Sequence, residues 1–240
     1  MTDSAADLPV ALVTGARKGI GRHLAGHLLA GGYRVVGCGR GAGEWDAEGF
    51  EYHQVDVTEE AQVLPLFRHI GTTFGRLDAL VNNAALATMN HSLLTPVATV
   101  DRLMRTNVTG TFLMSREAAK VMRKRRFGRI VNISSAVLPL RLSGEAAYLA
   151  SKSAVETLSQ VMARELAEYG ITVNVVGPGP TATDMTRGVP AEKLDALRRQ
   201  FYTQRLTTVE EIAHAVAFFL QPGSGAITGQ VLYLNGVANG

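Results

Sequence analysis

Short runs rich in Val, Ile and Leu alternate with longer stretches of helical periodicity along the whole chain, and few architectures accept that rhythm. The strand candidates are Val10–Thr14, Tyr33–Gly37, Glu51–Val55, Ala79–Asn82, Ile130–Ile133, Thr172–Val176 and Gln230–Leu234. Several are apolar almost throughout, as strands are when helices cover both faces of a parallel sheet. Helical patterns occupy Gly19–Ala30, Glu59–Phe74, Thr99–Lys124, Glu145–Tyr169, Ala191–Gln200 and Val209–Leu220. Strand–helix–strand repetition predicts an α/β fold: a doubly wound parallel sheet of seven strands with right-handed crossovers. No linker composition, low-complexity tract or repeat interrupts the 240 residues, so a single domain over 1–240 is expected. Residues 1–8 read as a disordered tail.

One connection is short. Fifteen residues separate Arg40 from Asp56 and must hold a crossover as well as the third strand. Gly41, Gly43 and Gly49 break that stretch, so a short turn or one helical turn around Glu44–Glu48 is expected.

The strand Val10–Thr14 is followed by Gly15, Gly19 and Gly21, a GxxxGxG spacing that opens the first helix. A glycine loop by itself is often only a turn. After a first strand and before a helix, it lets backbone approach a pyrophosphate, and the helix N-terminus offers free N–H groups. Gly15, Arg17, Lys18, Gly19, Ile20 and Gly21 are therefore the expected phosphate end of a dinucleotide site in a Rossmann-type fold. The second strand ends in Val35-Val36-Gly37-Cys38-Gly39-Arg40, with an arginine where an NAD-preferring site places an acid. Three cations (Arg17, Lys18 and Arg40) suit a 2′-phosphate through charge-assisted bonds, which favours NADP(H) over NAD(H). Asp56, just past the third strand, is placed to accept from an adenine amino group.

Tyr148 and Lys152 lie four residues apart, and Ser135 lies thirteen residues before the tyrosine. A phenol and an ammonium at that spacing share a helix face, about 6 Å apart along the axis. An unperturbed tyrosine has a pKa of about 10, and a fixed positive charge beside it favours the phenolate. The spacing alone is common in helices. Joined to an upstream nucleotide loop, it specifies acid–base chemistry.

Bulk properties narrow the setting. A net charge of +3 and a pI near 9.2 do not indicate a nucleic-acid protein. Cys38 is the one cysteine, which excludes an intramolecular disulfide and fits a reducing compartment. It reads as an apolar filler at a strand end. The first nine residues lack the apolar region of a secretory signal, and no apolar run approaches the roughly 18 residues of a membrane span. A cytoplasmic location is expected.

The chain resembles the short-chain dehydrogenases/reductases, most closely their 3-oxoacyl-[acyl-carrier-protein] reductase-like group. The resemblance runs from Val10 to about Gly236. It rests on Thr14–Gly21, Asp56-Val57, Asn82-Asn83-Ala84, Asn107, Ser135, Tyr148 with Lys152, Asn174, Pro178-Gly179, Thr183-Asp184-Met185 and Thr228-Gly229. It implies strand order 3-2-1-4-5-6-7 and assigns roles to this chain's residues. Tyr148 would protonate the carbonyl oxygen, or act as base in the reverse direction. Lys152 would lower the tyrosine pKa and hold the nicotinamide ribose, and Ser135 would bind the substrate carbonyl. Asn107 would anchor a water that relays protons through the lysine. Asp56, Val57, Asn83 and Ala84 would line the cofactor, with Pro178, Gly179, Thr181 and Thr183 on its nicotinamide side. Ala85 replaces a glycine usual in the family, Lys18 stands where an arginine is frequent, and Pro180 adds a second proline. The resemblance also implies a homotetramer, or a homodimer, built on the long helices and the C-terminal strand.

Ligands bind outside the carboxyl ends of parallel strands, which puts Ala87–Thr95, Val137–Ser143 and Gly177–Tyr202 around a substrate. Val137–Leu142 is apolar and suits an acyl or alicyclic ketone better than a sugar; the alternative reading is that these leucines pack subunit contacts or the lid itself. Residues 186–207 read as a substrate lid, with Met185, Phe201 and Tyr202 closing over the site. Arg141 reads as solvated. The run Arg123-Lys124-Arg125-Arg126 complements a helix C-terminus; by resemblance, Arg126 also suits an acidic carrier protein, although Tyr169 stands where a second arginine is common. His23 and His27 share a helix face but have no acidic or thiol partner near them in sequence, so they read as surface or packing residues and no metal site is expected.

The leading expectation is an NADPH-dependent reductase of a 3-oxoacyl thioester or similar apolar ketone. An alcohol or dihydrodiol dehydrogenase working oxidatively is the alternative. A non-catalytic nucleotide-sensing scaffold is disfavoured because Asn107, Ser135, Tyr148 and Lys152 are all present. Neither nucleic acid nor a membrane is expected as partner.

Overall fold

The computed structural model describes residues 8–182 and 191–237. Most of the expected tail, together with Thr183, Asp184, Met185 and the first part of the expected lid, lies outside the described residues.

Strands β1 (Val10–Thr14), β2 (Arg34–Gly39), β3 (Phe50–Gln54), β4 (Ala79–Asn82), β5 (Gly128–Ile133), β6 (Ile171–Gly177) and β7 (Val231–Tyr233) form one sheet. Its order is β3-β2-β1-β4-β5-β6-β7, and every pairing is parallel. The helices are α1 (Gly19–Ala30), α2 (Glu60–Thr73), α3 (Val97–Met104), α4 (Thr111–Met122), α5 (Ala146–Leu166), α6 (Ala191–Arg198) and α7 (Val209–Leu220).

The pleat of β1 explains the two-sided core. Val10 and Leu12 face one layer, with Leu66, Phe67 and Ile70 of α2, Met114 of α4 and Met162 of α5. Ala11 and Val13 face the other, with Leu24 and Leu28 of α1 and Ile212, Val216 and Phe219 of α7. Each fully buried Leu, Ile or Phe contributes about 1.5–3 kcal/mol, and both layers draw on the same central strands. This is why those strands read as unbroken apolar runs. Cys38 belongs to the first layer, where burial alone pushes its thiol up to about 12. It is packing, not redox chemistry.

The helix expected over Thr99–Lys124 is not one uniform α-helix. α3 and α4 are joined end to end by a π-helical segment, Arg105–Gly110. Gly110 allows the tight approach of this segment to Val57, whose Cγ2 would lie 2.8 Å from any Cβ placed there. Of the short turn or single helical turn expected around Glu44–Glu48, no helical turn forms and a turn does. That stretch is irregular and closes in a turn at Glu48–Gly49, where Gly49 has φ +78. Trp45 supplies the anchor, its ring 4.4 Å from Phe50 and beneath the Arg22 guanidinium.

Parallel strands all end at one edge of the sheet, so the segments after β1 to β6 converge there whatever their separation in sequence. Strand order reverses between β1 and β4, and a crevice opens at that point.

Candidate active site

The crevice begins with the loop after β1. Gly15 and Ala16 both donate to the Cys38 carbonyl, at 2.7 and 3.2 Å, which turns the chain sharply into α1. The Thr14 hydroxyl accepts from the backbone N–H groups of Asn83 and Ala84, at 3.0 and 2.9 Å. One side chain thus ties the end of β1 to the end of β4. Gly21 lies under this turn: a Cβ there would stand 2.3 Å from the Gly15 carbonyl oxygen. Only glycine fits.

A cavity of about 350 Å³ lies above the turn. Its wall contains Gly15, Arg17, Lys18, Gly19, Ile20, Arg40, Asp56, Val57, Asn83 and Ala84, ten of the residues expected at the cofactor end. Gly21, Ser135, Tyr148, Lys152, Pro178, Gly179 and Thr181 lie outside that wall, and Thr183 lies outside the described residues. The structure adds Gly39, Gly41, Tyr52, Val55, Ala85 and Thr106. Tyr52 donates to the Gly41 carbonyl at 3.0 Å, and the Arg17 guanidinium packs over Gly41. Neither contact carries a sequence signature; both depend on how the irregular 41–49 stretch folds back.

A dinucleotide fits this cavity on two counts. α1 opens at Lys18 and Gly19 with no side-chain cap and no acid in its first turn, so its N-terminal N–H groups are served by no side chain of their own helix. That is a ready anion site. Gly19, at φ +58, has nothing within 4 Å of where a Cβ would sit, so its surroundings are open. Asp56 stands at the opposite wall, its Oδ1 accepting from the backbone N–H and hydroxyl of Thr58, both at 2.9 Å.

The acid–base group is built from β5, the π segment and α5. Ser135, just past β5, is buried and hydrogen-bonds the Tyr148 hydroxyl. Ala136 donates to the Pro178 carbonyl at 2.8 Å, which holds the ends of β5 and β6 together. Lys152, one turn along α5 from the tyrosine, is 3% exposed. Its Nζ donates to the Ile133 carbonyl at 2.8 Å and lies 5.8 Å from the centre of the Tyr148 ring.

Asn107, buried in the π segment, is held by three hydrogen bonds. Its Oδ1 accepts from Leu86 N–H at 2.8 Å, while Nδ2 donates to the Leu86 carbonyl and to the Ser151 hydroxyl, each at 2.9 Å. The Ser151 hydroxyl in turn donates to the Tyr148 carbonyl at 2.6 Å. Asn107 therefore joins the loop after β4 to the turn of α5 that carries the tyrosine. The π segment aims it there.

Burial pushes the Tyr148 phenol up to about 12; the Ser135 hydrogen bond pulls it down and the Glu145 carboxylate adds to the rise. The Lys152 ammonium, bonded to the Ile133 carbonyl, stands 5.8 Å from the centre of the phenol ring. The lysine itself is held down to about 8 by burial, with Glu156 pushing the other way. At neutral pH the phenol is protonated and the lysine charged.

Glu156 was not singled out by sequence, although it sits one turn beyond Lys152 on the same helix face. It accepts from the Ser134 hydroxyl at 2.5 Å and, through both oxygens, from the Tyr233 hydroxyl at 2.9 and 2.8 Å. Asn174, quoted above as a motif residue, ties β6 to the segment before β7: it donates to the Ile227 carbonyl and accepts from Gln230 N–H.

The first of the segments expected around a substrate reaches the residue just past the second, Asn90 N–H donating to the Gly144 carbonyl at 2.9 Å. In the third, Phe201 is buried and bridged to Val237, whereas Tyr202 is 69% exposed. Thr181 donates to the Gly179 carbonyl and is bridged to Thr207, which fixes the chain after β6. At the basic run, Arg126 adopts φ +52 and its guanidinium donates to the Glu168 carbonyl; Arg123, Lys124 and Arg125 are exposed. His23 has a carboxylate partner that sequence distance hid, Glu210 at 3.9 Å.

A nucleotide crevice and a proton donor on one sheet edge define a class, the dinucleotide-dependent oxidoreductases. Residues 15–237 match the family described as enoyl-(acyl carrier protein) reductase. The chain is 35% identical over 233 residues to the 3-oxoacyl-[acyl-carrier-protein] reductase FabG of Salmonella typhimurium (strain LT2), covering 95% of this chain and 96% of that protein. Among solved structures, one described as ElxO with NADP bound superposes with a TM-score of 0.87 at 31% identity, over 95% of this chain and 98% of that one. A putative gluconate dehydrogenase from Agrobacterium tumefaciens gives the same TM-score, 0.87, at 30% identity, over 98% of both chains. The chain belongs to the short-chain dehydrogenase/reductase family. No helix among the described residues is long and apolar enough to cross a membrane.

Proposed function

We propose that this protein is an NADP(H)-dependent carbonyl reductase that converts a ketone to a secondary alcohol, with a 3-oxoacyl thioester as its substrate class. The observation that carries this reading is Tyr148, hydrogen-bonded to Ser135 and one helical turn from Lys152, whose Nζ lies 5.8 Å from the ring centre. Bound NADPH would supply the hydride. Arg17, Lys18 and Arg40 would hold its 2′-phosphate, and the N-terminus of α1 its pyrophosphate. Ser135 would donate to the substrate carbonyl oxygen, and Tyr148 would pass its proton to that oxygen as carbon accepts hydride. Lys152 would stabilise the phenolate left behind.

In the oxidative alternative the same Tyr148 would act as base, and the ratio of the two cofactor forms would set the direction.

The thioester class draws support from the named activity of the FabG relatives and from the half-buried apolar turn Val137–Leu142 beside Ser135. Exposed Arg123, Lys124 and Arg125 leave room for an acidic carrier, whereas Arg126 is already bonded to Glu168. A homotetramer is favoured by apolar side chains left exposed on the long helices, Phe112 of α4 and Val161 of α5, and light scattering measures it directly.

The test is a substrate panel followed by NADPH oxidation, set beside secondary alcohols with NADP+. Tyr148→Phe should lower reduction by about 10²–10⁴-fold while NADPH binding, read by fluorescence, is unchanged. Retained turnover in that variant would reject Tyr148 as the acid, and faster alcohol oxidation at neutral pH would reverse the direction.

A further inference from the structure

On the outer edge of the sheet, three donor groups that are scattered in sequence meet. Glu51 and His53 are two residues apart on β3, so both project from the same face of the strand. α2 packs across that face and brings His69 onto them. His53 Nε2 lies 3.1 Å from Glu51 Oε1, and His69 Nε2 lies 2.8 Å from the same oxygen. All three donor atoms are within 4.8 Å of one another. The two imidazole rings are 4.8 Å apart.

We propose that Glu51, His53 and His69 form a binding site for a divalent transition metal of the zinc class, a structural site separate from the reductase centre. Two imidazoles and one carboxylate are a common zinc set, and a tetrahedral ion bonded at about 2.0–2.1 Å to each sets its donors about 3.3–3.4 Å apart. The pairs to Glu51, at 3.1 and 2.8 Å, are already near that spacing, and an ion would draw the two imidazole nitrogens together from within 4.8 Å. His69 has the orienting partner that a ligating imidazole usually has: the Thr73 hydroxyl lies 3.3 Å from Nδ1, the nitrogen left over when Nε2 binds. Phe74 meets the same ring edge-on at 6.2 Å. Each ligand side chain is about a third exposed (35%, 31% and 37% for Glu51, His53 and His69), which leaves a fourth position to water. An oxygen–nitrogen set of this kind suits zinc better than magnesium or calcium, which favour all-oxygen shells.

The position defines the role. β3 is four strand spacings from β5, about 19 Å across the sheet, so the ion takes no part in carbonyl chemistry. It would clasp an edge strand to the helix that follows it. β3 runs into Val55 and Asp56 of the nucleotide crevice, so the clasp would also steady one wall of that cavity.

The experiment is calorimetric titration of Zn²⁺ into the full chain, free of affinity tag and stripped with chelator. One ion per chain is expected, with His53→Gln and His69→Gln each weakening binding about tenfold or more. Substituting His23 and His27, the other histidine pair, should change nothing. Saturating Zn²⁺ should raise the melting temperature of the wild type by about 5 °C and leave His53→Gln unmoved. Glu51→Gln is the second variant should a histidine change impair folding, which circular dichroism in chelator would reveal. Co²⁺ in place of Zn²⁺ should give visible absorption bands of a tetrahedral ion. Absence of saturable binding, or binding that survives loss of His53 and His69, would overturn the site.

Discussion

Lys152 and Glu156 occupy successive turns of one face of α5, and the carboxylate opposes the burial that drives the lysine towards neutrality. The balance leaves Lys152 at about 8, within reach of working conditions. In the reductive direction the lysine must be charged, so turnover should fall as pH rises through that value. Glu156→Gln keeps an acceptor for Ser134 and Tyr233 but removes the charge. Its pH–rate profile should therefore lose activity at lower pH than the wild type, with the rate at pH 6 little changed. An unmoved alkaline limb would show that Lys152 does not set it.

The same two shifts have opposite signs in stability. Lys152 has a folded-state value below its ordinary one of about 10.4, so between about pH 8 and 10.4 the unfolded chain binds more protons and this lysine makes stability rise with pH. Tyr148 is raised above its ordinary value of about 10, so its contribution is lost as pH climbs from about 10 to 12. Urea unfolding of Lys152→Met should lack the first slope, and unfolding of Tyr148→Phe should lack the second.

Arg40 and Arg17 both face the nucleotide cavity. A charge-assisted bond to a 2′-phosphate is worth about 1.5–3 kcal/mol, so Arg40→Ala should raise the KM for NADPH by about 10- to 150-fold and leave the KM for NADH nearly unchanged. Steady-state kinetics with both cofactors reads this directly. A wild type that prefers NADH would overturn the assignment.

Gly21 admits no side chain without movement of the Gly15 backbone. Gly21→Ala should destabilise the fold by about 1–3 kcal/mol and weaken NADPH binding together with it. Thermal unfolding and fluorescence titration measure the two effects.

Asn107 satisfies both backbone groups of Leu86 and reaches Ser151. Asn107→Ala should cost about 1–3 kcal/mol for each buried group left unpaired, and should lower kcat more than it raises the KM for NADPH. Denaturant unfolding with parallel kinetics separates the two.

β1, β4, α1 and α7 begin and end where hydrophobic patterning puts them, because each has a sharp boundary: the glycine loop, a charged flank or the Thr208–Glu211 capping box. β5 starts two residues early, at Gly128, which lacks a side chain only because Met122 packs against it. Nothing local reports that contact. The nucleotide loop, the cationic residues beside it and the Tyr–Lys pair were legible because each is a fixed spacing within one strand–turn–helix unit or one helix. Tyr52, Thr106 and the Glu51–His53–His69 meeting were not, because they arise between elements that only the folded sheet brings side by side.

The wide-turned stretch between α3 and α4 carries one residue more than a regular helix of equal span would hold. Removing a single residue there would let the hydrogen-bond ladder run unbroken and make a smoother helix. It would also rotate everything downstream by about 100°, swinging the asparagine away from the strand-end loop it grips. Local regularity has been given up at this point so that a distant pair of loops keeps its alignment.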